Sequence, residues 1–284
     1  MRRAIVFGII LVILGVGSYL IFYKSKPATP LPEKLEELTT VRSIIGTSVE
    51  GRDIEAYTYG NGQTHLTFVG GIHGGYEWNS VVLAYKFIDY LDQNPNIIPE
   101  NIVVTVIPSL NPDGVYKIIG KEGRFTSLDV PAGKSTVPGR FNANEVDLNR
   151  NFDCKWQPKS KWRDTIVNAG KEAFSEPEAK ALRDFILKDK PTAVLFWHSQ
   201  SGAVYASECE KGILPETISI MNIFSRASGY RAITTFDAYE TTGDAEGWLA
   251  SIGIPTITVE LTTHETIEWE KNLAGIKALF EYYK

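Results

Sequence analysis

The stretch HLTFVGGIHGGYEWNSVVLAYKFIDYL, residues 65–91, decides the fold. Its first residues form an apolar run of strand length, two glycines interrupt it, and from about Glu77 to Leu91 apolar residues recur at helical spacing. A buried strand, a short turn and an amphipathic helix make one βα unit. Within the turn, His73 and Glu77 stand four apart, with Gly74, Gly75 and Tyr76 between them. The same alternation continues along the chain. NIVVTVIPSL (101–110) reads as a strand leading into the loop NPDG (111–114). SEPEAKALRDFILKD (175–189) reads as a helix, with Ser175 and Glu178 forming a capping box. TAVLFWHS (192–199) and PTITVEL (255–261) are continuous apolar runs, the pattern of central strands covered on both faces. The final helix falls within residues 265–284.

This pattern predicts an α/β fold: a single domain with a mixed, mostly buried, twisted β-sheet flanked by helices. The domain is expected over residues 41–284, opening with a strand pair in VRSIIGTSVEGRDIEAYTYGNG (41–62) around a Gly-Arg turn. Residues 27–40, beginning PATPLPEKLEE, read as a Pro-rich linker. Ahead of it, Arg2 and Arg3 precede twenty uncharged, mostly apolar positions, Ala4 to Tyr23. That run is long enough to cross a bilayer, so residues 1–26 read as an N-terminal transmembrane helix acting as anchor. A cleaved signal is the alternative, which would give a secreted protein. The flanking charges favour an amino terminus inside, so the domain is expected outside the cytoplasm. In that setting the two cysteines, Cys154 and Cys209, are expected to form a disulfide. A formal net charge of −5 offers no basic footprint for nucleic acid.

Polar residues just past the ends of buried strands are where α/β sheets build sites. His73, His198 and Glu260 all occupy such positions. A hydrolytic zinc takes three protein ligands from histidine and carboxylate and keeps one position for water. His73, Glu77 and His198 supply that set. Glu260, an acid at the end of an apolar strand, is placed either as a general base or in a salt bridge at the sheet rim. GRFNANEVDLNRNF (139–152) adds Arg140, Asn142, Asn144, Asn149, Arg150 and Asn151, donors suited to carboxylates and developing oxyanions.

Taken in order, GIHGGYEW, NPDG, VDLNRNF, SEPE, FWHS and TVEL resemble the motifs of the M14 zinc metallocarboxypeptidases, over a region from about Val41 to the C-terminus. The resemblance implies one Zn2+ per chain held by His73, Glu77 and His198, and Glu260 as general base. It also implies Arg140 polarising the scissile carbonyl, with Asn149 and Arg150 gripping the substrate's terminal carboxylate. Tyr239 matches the family's mobile tyrosine by spacing, with Phe236 and Tyr230 as alternatives. The side-chain pocket is expected within TGDAEGW (242–248), either neutral at Ala245 or facing an ammonium group through Asp244 or Glu246. The implied reaction is hydrolysis at the C-terminal end of a peptide with a free carboxylate, by a monomer. Two alternatives share the site: an enzyme cutting cell-wall stem peptides at diaminopimelate, and a zinc amidohydrolase deacylating amino acids. The chain departs from the family at one place, reading H-x-x-x-E where H-x-x-E is usual. The two glycines between His73 and Glu77 are expected to absorb the extra residue.

Overall fold

The computed structural model describes residues 40–284. The predicted anchor and nearly all of the linker lie outside the described residues. Among the described residues, no helix is long and apolar enough to cross a membrane.

Eight strands form one mixed sheet in the order β1-β2-β4-β3-β7-β12-β8-β11. Strands β1 (Val41–Thr47) and β2 (Asp53–Tyr59) are the expected antiparallel hairpin. The centre is parallel: β4 (Ile102–Ile107), β3 (Thr64–Val69), β7 (Ala193–Ser199) and β12 (Thr256–Leu261) run side by side. Strand β8 (Ala203–Ala206) returns antiparallel to β12, and β11 (Arg231–Ile233) closes the far edge parallel to β8. Two small hairpins lie outside this sheet, β5 (Lys159–Trp162) with β6 (Thr165–Asn168), and β9 (Glu208–Cys209) with β10 (Gly212–Ile213).

Among the described residues, six helices accompany the sheet: α1 (Trp78–Gln93), α2 (Pro112–Ile119), α3 (Pro177–Asp189), α4 (Pro215–Ser228), α5 (Ala245–Ser251) and α6 (Trp269–Tyr283). Neighbouring residues of a strand point to opposite faces, so a run buried throughout must serve two cores. Strand β7 does this: Leu195 and Trp197 pack with residues of α1, α4 and α6, whereas Val194 and Phe196 pack with α3 and α5. Trp197 stacks on Phe68 with ring centroids 5.6 Å apart, and Phe87 of α1 meets Phe68 edge-on at 5.1 Å. Each such fully buried side chain contributes roughly 1.5–3 kcal/mol. This two-sided packing fixes the parallel strands against each other and brings their C-terminal ends to one edge.

Three local expectations are corrected. NPDG is the start of α2 rather than a free loop: Asn111 caps it by accepting from the Gly114 N–H at 2.8 Å. Helix α1 begins at Trp78, because Gly74–Glu77 form a separate 3-10 turn. The capping box at SEPE is absent. Glu176 is the N-cap of α3, Ser175 donates to its carboxylate at 2.8 Å, and Glu178 instead accepts from the Val49 N–H at 3.1 Å. A proline at the first helical position needs no donor partner there, so the cap side chain is released for tertiary bonding.

Candidate active site

The site lies at the C-terminal edge of β3, β7 and β12. In the register of the sheet, Glu260 of β12 sits directly beside His198 of β7. His73 follows β3 and precedes the 3-10 turn that ends on Glu77. The turn accommodates the extra residue: Gly74 has φ +46°, in the left-handed region that favours glycine. A Cβ on Gly74 would stand 2.6 Å from the Gly139 carbonyl oxygen, and one on Gly75 2.7 Å from that of Gly114. Close backbone approach therefore demands both glycines.

His73, Glu77 and His198 are all buried and each offers a ligand atom within 4.8 Å of the others. Nδ1 of His198 is 3.1 Å from Oε2 of Glu77. Two atoms each about 2.0–2.1 Å from one tetrahedral zinc would be about 3.3 Å apart, so the pair is set for a shared ion. Each histidine also faces a carboxylate: Nδ1 of His73 is 3.5 Å from Asp147 Oδ1, and Nε2 of His198 is 2.8 Å from Glu246 Oε1. Ligating histidines usually carry such a partner, which holds the ring and its tautomer. Glu77 is fixed by the Ser199 N–H at 3.2 Å.

The charge balance fits a cation as well. Burial, then Arg140, hold His73 well below the usual histidine range, so it is neutral and able to ligate. Burial opposes charge on His198 too, but Glu77 and Glu246 outweigh it and raise its pKa well above the usual range. Glu260 is pushed up to about 8 by burial and by the nearby Glu77. Its Oε2 is shut off from solvent with no hydrogen bond, and Glu260 forms no ion pair among the described residues. The rim salt bridge considered for it is not found. Glu77, Glu246 and Glu260 thus converge around His198, an arrangement a divalent ion would offset.

Arg140, expected near the metal, is buried and braced. Its Nε and Nη2 each donate to Asp147 Oδ2 at 2.9 Å, and its Nη1 is 3.8 Å from Glu77. Its guanidinium lies 4.5 Å from the centre of the Trp162 ring, on the tip of the β5–β6 hairpin. Asn149 and Arg150 line the same cavity of about 640 Å3, together with Tyr239, Phe236, Asp244 and Glu246. The Asn149 Oδ1 accepts from the Ala245 N–H at 2.8 Å, and Arg150 donates through Nε to the Lys161 carbonyl at 3.0 Å. The guanidinium of Arg150 stands 6.0 Å from the Tyr239 ring.

Several expected residues land elsewhere. Tyr230 is buried beneath α6, donating to Glu268 at 2.9 Å, and does not reach the cavity. Ala245 packs into the core and does not line the cavity, whereas Asp244 and Glu246 on either side of it do. Asp244 caps α5 by accepting from the Gly247 N–H at 2.7 Å, and burial with the neighbouring Glu246 raises its pKa to about 6. Asn142 and Asn151 are structural: one bonds Glu176 at 2.8 Å, the other the Ala169 carbonyl at 2.7 Å. The Cys154–Cys209 disulfide is formed, and Cys154 lines the cavity wall.

Asp147, Trp162, Tyr76 and His264 were not picked out from sequence. Asp147 stands two positions before Asn149, and an acid next to a cluster of basic and amide donors was its available signal. His264 accepts or donates at 2.7 Å to Ser199, the residue after His198, and its ring lies 4.6 Å from that of Tyr76. Tyr76 in turn meets Trp162 edge-on at 5.3 Å. Nothing in local periodicity reports those long-range pairings.

Comparison with known proteins agrees with this geometry. The family model Peptidase_M14, zinc carboxypeptidase, matches residues 31–274. Bacteriocin BCN5 of Clostridium perfringens is 28% identical over 248 residues, which are 84% of this chain and 25% of that protein. Gamma-D-glutamyl-L-diamino acid endopeptidase 1 of Lysinibacillus sphaericus is 26% identical over 238 residues, 76% of this chain and 59% of that protein. The chain thus spans about a quarter and about three fifths of these two relatives. Among solved structures, murein-tripeptide amidase of Escherichia coli O157 superposes with a TM-score of 0.62 at 22% identity, covering 89% of this chain and 97% of that one, a likeness of fold. With the match extending over most of its length and the two-histidine, one-glutamate centre in place, the chain belongs to the Peptidase_M14 family of zinc carboxypeptidases.

Proposed function

We propose that the protein is a zinc-dependent metallopeptidase that hydrolyses an amide bond next to a residue bearing a free carboxylate. One observation carries this reading: a buried His73–Glu77–His198 centre shares a single cavity with Glu260 and with the carboxylate-binding candidates Asn149 and Arg150.

Zinc held by His73, Glu77 and His198 would polarise the carbonyl and acidify a water. Glu260 is the proton acceptor for that water. Its place beside His198 in the sheet and in the same cavity puts it where it can take that proton and pass it to the departing amine. Arg140 stabilises the oxyanion that develops on the substrate, and the two hydrogen bonds it donates to Asp147 together with the Trp162 ring hold the guanidinium in place before substrate arrives. Arg150 and Asn149 hold the substrate carboxylate, fixing which bond is presented, and Tyr239 covers it from above.

A second reading concerns the substrate. Asp244 and Arg150 both line the cavity, opposite charges suited to a group carrying both an ammonium and a carboxylate. The distal end of diaminopimelate is such a group. The likeness to a gamma-D-glutamyl-L-diamino acid endopeptidase and to a murein-tripeptide amidase supports cell-wall stem peptides as substrates. We place the catalytic region outside the cytoplasm, held there by the apolar segment of residues 4–23, and the Cys154–Cys209 bridge supports an oxidising setting.

The test is incubation of zinc-loaded protein with ordinary peptides and stem peptides, read by mass spectrometry with and without chelator. Chelator-sensitive loss of single C-terminal residues from ordinary peptides supports a general carboxypeptidase. Cleavage confined to stem peptides supports the second reading. Release of acyl groups from acylamino acids, with neither peptide class cut, would overturn both.

A further inference from the structure

We infer that Glu246 is a positioning residue for the metal centre: its carboxylate orients His198, and it is therefore not the acid that selects the substrate's side chain. This rests on the reading of His73, Glu77 and His198 as a zinc site. In the sequence, Asp244 and Glu246 are equivalent candidates for an acidic pocket floor, one on each side of Ala245. The structure separates them.

Glu246 is buried and its Oε1 lies 2.8 Å from Nε2 of His198, itself buried. An ionised carboxylate can only accept, so Nε2 must carry the proton. When a metal replaces the second proton of the ring, its lone pair is on Nδ1, the atom that faces Glu77 at 3.1 Å. The contact therefore fixes both the plane of the ring and the tautomer that ligates a metal. Asp147 stands in the corresponding place for His73, but at 3.5 Å, and it is also engaged by Arg140. Of the two carboxylate–histidine pairs, that of Glu246 is the closer.

The backbone carrying Glu246 is held on three sides. Asp244 caps α5 one residue before it begins, accepting from the Gly247 N–H at 2.7 Å. The N–H of Ala245 donates to Asn149 at 2.8 Å. Ala245 and Trp248 anchor the helix in the core below. A side chain in the first turn of a helix so fixed has little freedom to swing toward a ligand. Asp244 uses one carboxylate oxygen for the cap and shares the cavity wall with Arg150, so recognition of an ammonium group falls to it.

The experiment compares full-length wild type with Glu246→Gln. Zinc dissociation is measured at fixed pH by competition with a chromogenic chelator, on apo protein whose fold and melting temperature are checked first by circular dichroism. The Gln side chain keeps the volume but cannot hold the proton on Nε2 with a full charge. Zinc affinity should fall about 10- to 100-fold, the usual effect of losing such a partner. The ratio of kcat/KM for lysine-ended over alanine-ended substrates should be unchanged. Unaltered zinc affinity with an altered substrate ratio would overturn the inference and return Glu246 to the specificity pocket. Should Glu246→Gln not fold, Glu246→Asp, which retains charge but shortens the reach, is expected to show the same direction of zinc loss. Failure of wild type itself to bind one zinc would instead overturn the metal-centre reading on which this rests.

Discussion

Removing the Cys154–Cys209 disulfide is expected to destabilise the protein by about 4 kcal/mol. The bridge joins residues 55 positions apart, linking the segment just after Arg150 to the β9–β10 hairpin. In the chain-entropy treatment, closing a loop of about that length removes roughly 14 cal/mol/K from the unfolded ensemble, hence about 4 kcal/mol at 25 °C. Both cysteines are buried, so the suitable perturbation is the double substitution Cys154→Ala and Cys209→Ala, which leaves no unpaired polar group. For a chain of this size the loss corresponds to a melting temperature lower by about 8–16 °C. The assay is urea unfolding of wild type and variant, each with and without reductant. Reductant should bring wild type to the stability of the variant and leave the variant unchanged. The consequence should also reach the cavity: the Cys154 carbonyl accepts from the Gly243 N–H at 2.7 Å, and the Gly243 carbonyl accepts from the Phe152 N–H at 2.9 Å. Loosening this segment moves Arg150 and Asp244 together, so KM should rise more than kcat falls. A variant within 1 kcal/mol of oxidised wild type would refute the loop-closure reasoning.

Three further outcomes are expected. Gly74→Ala places a Cβ at φ +46°, 2.6 Å from the Gly139 carbonyl oxygen and 2.9 Å from the Gly114 Cα, so it should cost about 1–3 kcal/mol in thermal unfolding and weaken zinc binding. Tyr239→Phe should raise KM for peptides with a free C-terminus and leave zinc affinity unchanged, measured by steady-state kinetics and chelator competition. Glu178 is fully buried and burial pushes its pKa up to about 7, above the ordinary value of 4.5. Between those values the native state holds a proton that the unfolded chain has lost. Stability from this group is therefore greatest below about pH 4.5 and falls by about 3 kcal/mol as pH rises through 7. Urea unfolding across that range should show the decline in wild type and a flatter profile in Glu178→Gln.

The fold was legible because its core obeys simple periodicities. LFWHS and TITVEL read as strands buried on both faces, and β7 does send alternate side chains into two cores. The site was legible where chemistry concentrates at strand ends: His73, His198 and Glu260 meet because β3, β7 and β12 are parallel neighbours. What could not be read from local sequence depends on distant partners. The SEPE capping box failed because a tertiary donor, the Val49 N–H, claims Glu178. Neither Ala245 nor Glu246 stands free as a pocket residue, because α5 begins at Ala245, which turns the alanine into the core and the glutamate toward His198. Spacing favours Tyr239 over Tyr230 but leaves Tyr230 as an alternative. The packing of α6, which traps Tyr230 against Glu268, removes that alternative.

The most direct test of the account is Glu260→Gln in zinc-loaded protein, with zinc content and peptide hydrolysis measured on the same sample. The account expects one zinc per chain in both proteins and a kcat lower by about 100- to 10,000-fold in the variant, since only the proton acceptor is lost. Undiminished hydrolysis with zinc still bound would contradict it.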